Sequence, residues 1–378
     1  VSRRSGHSGR RAHAAPVARI AAGCGLALLG LVGAACADPA GSDRAAAQPG
    51  GAAAVTPPRA GRFGSLRDLV LFARPGIDAV DALFCDRFEA TRRDWGEFAA
   101  TAAGRACGAG RVPTDGEGSV AVGMVDLAMA RAFARWRFLR LPRRDEWQQV
   151  ALDGGRSRFP WGDRVDPSRA NTAELGLWQT TPVGTFESGR QAGGANPYDL
   201  IGNVSEWTES PVSWWCDSRH HVGGQPLDPL GGLARARADV AATPALAAWC
   251  GAGDLAPAAW LLAAVGRHVP REVVGADFAT SMDETSQEAL PDERSARRGV
   301  RLVATAGELL AALCAEPESP SADDEAQLRR FVARDAHRQT LAAAWRELSL
   351  RGAAPSPQRP LGAILAEELG ASAVEGPR

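Results

Sequence analysis

Amphipathic periodicity surfaces only in a few short stretches between residues 88 and 303 of this chain, and the intervals are dense in glycine, proline, tryptophan and asparagine. That pattern implies an irregular, loop-rich domain with little regular secondary structure. No internal repeat is evident. A length of 378 residues accommodates one large domain with extensions or two ordinary domains, and nothing in it forces an oligomer.

Three helices are predicted inside the domain. Thr91 caps the first, through Trp95 and Phe98, with Asp94 three residues on supporting its first turn. Asp126 caps the second, from Leu127 to about Phe138, with Leu127, Ala130, Ala134 and Phe138 along one stripe. The third starts at Arg140-Leu141-Pro142, with Pro142 at the first helical position, and stops at Gly154-Gly155. Beyond the domain, helical periodicity returns in Gly307 to Cys314 and in Glu325 to Leu350, where Leu328, Phe331, Val332, Leu341, Trp345 and Leu348 form an apolar side. Pro355 to Pro360 breaks it before a last short helix. The alanine-rich, evenly charged faces of this tail favour solvated helices over packing on the domain or an interaction arm.

At the other end, Arg3, Arg4, Arg10, Arg11 and Arg19 precede the first acidic residue, Asp38, and the apolar run Ile20 to Ala35 ends in small residues. This is the layout of a signal peptide, and the run is near the lower limit for a membrane span, which favours cleavage over a retained anchor. Cys36 after Gly33-Ala34-Ala35 looks like a lipoprotein processing site, with Gly33 where leucine is usual; an ordinary cleavage site beside an incidental cysteine is the alternative. The expected organisation is therefore a signal peptide of lipoprotein type at 1–36, a flexible Ala/Gly/Pro tether at 37–69, a domain at 70–304 and a helical C-terminal extension at 305–378. Export to the periplasm or cell envelope follows, with membrane attachment through a lipid at Cys36.

The 44 acidic residues nearly balance 43 basic ones, for a net charge of -1, and no long single-sign block follows the first forty residues. Nucleic acid is not an expected partner. Past Cys36 lie Cys85, Cys107, Cys216, Cys250 and Cys314, an odd number for an oxidising compartment. One pairing joins Cys85 with Cys107 and Cys216 with Cys250, leaving Cys314 over, and no spacing resembles a zinc site.

Seven segments carry more specific information: FEATRRDWGEF (88–98), RLPRRDEWQQVA (140–151), FPWGD (159–163), AN (170–171), TTPVGTF (180–186), YDLIGNVSEWTES (198–210) and RRGVRLV (297–303). Their order resembles the formylglycine-generating-enzyme, or sulfatase-modifying-factor, family. That family typically runs Glu-Val-Thr, Arg-Leu-Pro-Thr-Glu-x-Glu-Trp, Pro-Trp-Gly, Thr-x-Pro-Val-Gly, Gly-Asn-x-x-Glu-Trp and a closing Gly-Phe-Arg. The resemblance implies an α+β fold of the formylglycine-generating-enzyme type, related to C-type-lectin-like folds. It does not by itself imply activity.

Two carboxylates seven residues apart, Asp199 and Glu206, flank a glycine-containing turn, and an all-oxygen cage of that kind suits calcium. The resemblance places a structural calcium here, with Asp199 and Glu206 as side-chain ligands and the carbonyls of Gly202 and Val204 between them. The alternative is a purely hydrogen-bonded turn. A second calcium of the family falls near Asn171, Thr172 and Leu177, where the position expected to hold an aspartate is Leu175 and Glu174 stands beside it. Trp147, Trp161, Trp178 and Trp207 are expected in the core, with their indole N–H groups partnered.

The resemblance also locates what is missing. Formylglycine-generating enzymes carry a Gly-Gly-Ser-aromatic segment followed by two cysteines that bind copper and engage the substrate thiol. Here the counterpart is Gly275-Ala276-Asp277-Phe278, and the cysteine positions fall on about Thr280 and Thr285, which cannot supply the thiolates that Cu(I) prefers. No Cys lies between Cys250 and Cys314, so formylglycine-generating activity and bound copper are not expected. Relatives that are iron sulfoxide synthases draw histidines from a helical bundle, whereas this chain has only His220, His221, His268 and His337 past the export region. The segment Trp214 to His221 could gather Cys216, Asp217 and imidazole around a transition metal, though a polar loop is the plainer reading. No Gly-x-Ser-x-Gly or phosphate-binding loop is present.

The expectation is an exported, calcium-stabilised binding or accessory module with a protein or glycan ligand. The rival is an iron- or copper-dependent oxidoreductase built on Cys216, His220 or His268, and a third reading is a structural envelope protein working through its tether and tail.

Overall fold

The computed structural model describes residues 62–72, 76–190, 197–211, 221–222, 225–226 and 270–370. Cys36, the export segment, most of the tether, Cys216, His220, Cys250 and His268 lie outside the described residues. Of His221, only its place in a short strand is described.

Two small sheets frame the domain. β1 (Leu69–Phe72) and β2 (Leu83–Asp86) pair antiparallel, and β2 in turn pairs with the late strand β9 (Val303–Thr305). The second sheet runs β7 (Ser286–Ala289), β6 (Arg271–Val274), β3 (Ser205–Pro211), β8 (Arg298–Gly299), with β3 and β8 parallel. A short two-stranded ribbon, β4 (His221–Val222) with β5 (Gln225–Pro226), is hydrogen-bonded into neither sheet. Between β2 and β3 the helices are short and joined by long connections, the last from Leu152 to Val204, and the architecture is the mixed α+β, loop-rich one that the sequence predicts.

The domain helices form where capping chemistry and an apolar stripe coincide. In α1 (Arg92–Ala99) the Thr91 hydroxyl accepts from Asp94 N at 3.2 Å while the Asp94 carboxylate accepts from Thr91 N at 3.0 Å, satisfying two otherwise orphaned donors. Its Trp95 and Phe98 pack on Phe133 of α3 (Leu127–Trp136), with ring centroids 5.2 and 5.5 Å away. Between them lies α2 (Ala102–Cys107). Asp126 caps α3 through Met129 N at 2.9 Å, but the helix ends at Trp136, because Phe138 turns to a φ of 61°. The third helix, α4 (Arg144–Ala151), also starts later than expected. Pro142 precedes it and lends its carbonyl to Glu209 N at 2.9 Å, tying the helix entrance to β3.

Three expectations need correction. Residues 62–69 are not tether: Phe63, Leu66 and Leu69 are buried, with a 3-10 turn at Gly64–Asp68 leading into β1. Three apolar residues at intervals of three in a short run make too brief a pattern to signal a packed segment, so only the packing discloses them. The C-terminal helices α5 (Ala306–Ala315), α6 (Ala322–Val332), α7 (Asp335–Leu350) and α8 (Pro360–Glu368) are not merely solvated. Leu309, Leu313, Leu328, Phe331, Leu341 and Leu365 join one apolar core with Phe63, Leu66 and Phe84, and the run read as one helix breaks at Ala333-Arg334. Finally, Cys85 and Cys107 are both free. Cys85 points from β2 into a second core around Trp147 and Val274, whereas Cys107 packs at the edge of the first, so the expected bridge does not form.

Candidate functional site

The turn between Tyr198 and Trp207 enters β3 through three left-handed residues, Asp199, Gly202 and Asn203, at φ 53°, 84° and 62°. Gly202 is required twice over: its φ suits glycine, and a Cβ there would collide with the Asn171 carbonyl. The loop is held from all sides by main-chain bonds, Gly202 N to Gly275 O at 2.6 Å, Asn203 N to Asn171 O at 2.7 Å and Phe278 N to Asn203 O at 3.2 Å. The 198–207 turn, the 171–181 loop and the 275–285 loop thus form one interlocked face.

Beneath it lies a buried network of charge. Glu206, fully buried at the start of β3, receives Arg301 Nε at 2.7 Å on one oxygen and the Trp147 indole N–H at 3.1 Å on the other. Arg301, itself buried, spends its remaining donors on the carbonyls of Asp86 at 3.1 Å, Tyr198 at 2.7 Å and Asp199 at 3.3 Å. Asp199 accepts from Gly184 N at 2.6 Å. Glu89, two residues before α1's cap, accepts from Val204 N at 3.0 Å and from the Asn203 amide at 2.5 Å.

Burial pushes all three carboxyls upward. Glu89 lies well above the usual range, through desolvation and then the Asp199 charge. Asp199 is raised to about 6 by desolvation, with the Gly184 N–H and Arg301 pulling the other way. Glu206 is raised by desolvation against the opposing pull of Arg301. Asp86 nearby is raised by the same cause, and its charge is met by Arg137 at 2.9 Å.

The donor set can be tested against calcium. Glu89, Asp199 and Glu206 face one buried guanidinium, Arg301, and their raised carboxyls reflect that full ionisation would leave two negative charges uncompensated in a low-dielectric region. Asp199, Glu206 and the main chain between them therefore suit a divalent oxygen-seeking cation, with each Glu206 oxygen keeping a second lone pair. Among the described residues, no three His, Cys, Asp or Glu side chains converge in the manner of a metal site. A cation here would depend on carbonyls as well as carboxylates.

The second expected position is different. Glu174 is mostly exposed and its carboxylate is committed to Thr172 Oγ1 at 2.7 Å, Ser281 Oγ at 2.6 Å and Met282 N at 3.2 Å. Asn171 donates to Gln179 O at 2.9 Å, while its own Oδ1 is buried without a hydrogen-bond partner among the described residues. Glu174 acts as a clasp between two loops, whereas the Asn171 Oδ1 beside it is an acceptor without a partner among the described residues.

Thr280 and Thr285 sit in the 275–285 loop as structural supports. Thr280 Oγ1 accepts from Asp277 N at 2.8 Å and its carbonyl accepts from Ala173 N at 2.9 Å, while the Thr285 carbonyl accepts from Gly275 N at 3.1 Å. Of the described cysteines, Cys85 is buried with its thiol raised by desolvation, and Cys314 is pushed up to about 12 by the same cause. Trp147 and Trp207 are buried as expected, and Trp207 donates to Val125 O at 2.8 Å. Trp178 is not core: it is 62% exposed at a φ of 57°, because its loop turns outward at Gly176. Sequence reasoning assigned no role to Glu89, Asn203 or Arg301, although each stood inside a recognised motif.

A buried carboxylate–guanidinium network under interlocked, glycine-dependent loops defines the class as a loop-rich α+β domain stabilised by polar pinning. A family model described as "Sulfatase-modifying factor enzyme 1-like domain" matches residues 62–306, and the chain belongs to that family. It is 36% identical over 123 residues to the "Inactive C-alpha-formylglycine-generating enzyme 2" of Bos taurus, covering 29% of this chain and 40% of that protein. It is 40% identical over 92 residues to the "Hercynine oxygenase" of Mycolicibacterium smegmatis, covering 23% and 21%. A third relative, the "Formylglycine-generating enzyme" of Mycobacterium tuberculosis, is 34% identical over 159 residues, covering 35% and 51%. The chain thus spans about half or less of the length of each of these relatives. The crystal structure of CarF superposes with a TM-score of 0.37 at 18% identity, over 62% of this chain and 93% of that one.

Proposed function

We propose that this chain is an exported, membrane-tethered binding or accessory module of the sulfatase-modifying-factor family, stabilised by calcium and without formylglycine-generating activity. The observation that carries the reading is the 275–285 loop. At the positions where the family's copper cysteines are expected, Thr280 and Thr285 brace the backbone, and burial pushes the Cys85 thiol up, which disfavours its thiolate. Asp199 and Glu206 would hold the calcium with the Gly202 and Val204 carbonyls, and the ion would supply the charge that three carboxylates and one guanidinium lack. Glu206 then remains bonded to Arg301 and Trp147, which orient it. Lipidation at Cys36 would tether the module, and the exposed Trp178 lies on the face available to a protein or glycan ligand.

The oxidoreductase reading draws support from the match to a hercynine oxygenase. It requires iron or copper held by residues outside those described, since His337 is enclosed in the tail core.

Elemental analysis of the protein purified without chelator, alongside Asp199→Asn and Glu206→Ala, tests both. About one calcium per chain, lost in the variants, with no copper or iron and no oxidation of a cysteine peptide after copper addition, is the expected result. Stoichiometric copper or iron would overturn the accessory-module reading.

A further inference from the structure

We propose that Glu89 is the positioning residue of the calcium loop: its carboxyl fixes the Asn203–Val204 segment. The inference rests on the calcium reading above. Glu89 is almost fully buried, yet the hydrogen bonds to its carboxylate come from neutral donors, the Asn203 side-chain amide and the Val204 N–H. A buried carboxyl held only by amides costs stability, and the guanidinium that acts on it, Arg301, makes its hydrogen bonds to Glu206 and to carbonyls instead, so the carboxyl's retention needs a reason beyond packing.

The geometry supplies one. Asn203 adopts the left-handed conformation, uncommon for a residue with a side chain, and every part of it is engaged. Its Oδ1 accepts from Thr181 N at 2.9 Å and from the Asn171 amide at 3.3 Å, its Nδ2 donates to Glu89, and its carbonyl accepts from Phe278 N. The Thr181 bond fixes which end of the Asn203 amide faces Glu89. With the Val204 N–H also turned onto Glu89, the peptide between Asn203 and Val204 is clamped at both its C=O and its N–H. Gly202 and Val204, the two residues whose carbonyls are assigned to the cation, flank that clamped unit. Glu89 thus orders the turn from beneath, touching no ligand side chain.

The pairing is directional, which makes it testable by exchange. Glu89→Gln places an amide donor against the Asn203 amide donor, and Asn203→Asp places a carboxylate against Glu89. In the double variant, Glu89→Gln with Asn203→Asp, the amide and the carboxylate have traded places and are again complementary. The carboxylate now at position 203 still accepts from Thr181 N, the amide oxygen now at position 89 still accepts from Val204 N, and a carboxyl again faces an amide across the same hydrogen bond.

The experiment is calorimetric titration of the full chain with calcium chloride for wild type, both single variants and the double, with unfolding in chelator as the control for the apo fold. Each single variant is expected to weaken calcium binding on the order of tenfold or more, as outer-layer partners of metal ligands do. The double is expected to recover most of that loss. Wild type that binds no calcium would overturn the calcium reading and this inference with it. Wild-type binding that Glu89→Gln leaves unchanged, or a folded double variant that regains nothing, would overturn this inference alone. Should the single variants fail to fold, near-wild-type affinity in the double supports the pairing and weak affinity in a folded double refutes it.

Discussion

The 198–207 turn and the apolar sides of the C-terminal helices are both buried, and they are held in opposite ways. The turn is pinned by directional bonds: Glu206 to Arg301, Arg301 to three carbonyls, Glu89 to Asn203 and Val204. The tail is held by apolar fit, with Phe331 5.6 Å from Phe84 and His337 edge-on to Phe84 at 5.2 Å, measured between ring centroids. Polar pinning specifies one backbone path but fails abruptly when a partner is lost, whereas apolar packing degrades in proportion to the volume removed. A site that must hold carbonyls in place needs the first kind. A cover over a small sheet can be built from the second.

The largest effect should come from Arg301→Met, which leaves three buried carboxylates without their guanidinium. A loss of about 4 kcal/mol or more is expected in urea unfolding, and a loss under about 1 kcal/mol would erase the contrast. Phe331→Ala should cost about 3 kcal/mol through the cavity it opens, while leaving calcium affinity unchanged; altered affinity would mean the regions are coupled.

Opposite pH responses sharpen the comparison further. Burial lowers the His337 imidazole to about 4, so the folded state favours the neutral form. Its contribution is present above the unfolded value near 6.5 and is lost as pH falls toward 4, on the order of 3 kcal/mol. His337→Leu should abolish that acid-side loss. Asp199 is raised to about 6, so its effect runs the other way. In chelator, stability is fully present below its unfolded value near 3.8 and is lost as pH rises through 6, on the order of 3 kcal/mol. Saturating calcium should remove that decline, and Asp199→Asn should flatten it without calcium. The smallest effect belongs to Trp178→Ala, under about 0.5 kcal/mol in stability, since the indole is exposed; a larger loss would show that its loop is held by the ring.

Legibility followed the range of the interaction. Thr91 with Asp94, and Asp126 with Met129, lie within one turn of each other, so capping was readable and proved right. Cys85 and Cys107 are separated by elements whose directions no local pattern announces, and pairing them failed. The tail was readable as helices from its Leu and Phe spacing, but not as part of the core, because an apolar stripe does not say what covers it.

The ordered motifs by themselves determined the family, the short helices, the glycine at 202 and the threonines at 280 and 285, since each depends on residue type and local spacing. Only the tertiary structure decided that Glu89 reaches across 115 residues to Val204, that Arg301 neutralises Glu206, that Glu174 clasps Ser281, and that Trp178 faces outward. Those outcomes turn on which distant segments share a desolvated interior, where the cost of a lone charge or an unpaired amide selects partners that sequence proximity never specifies.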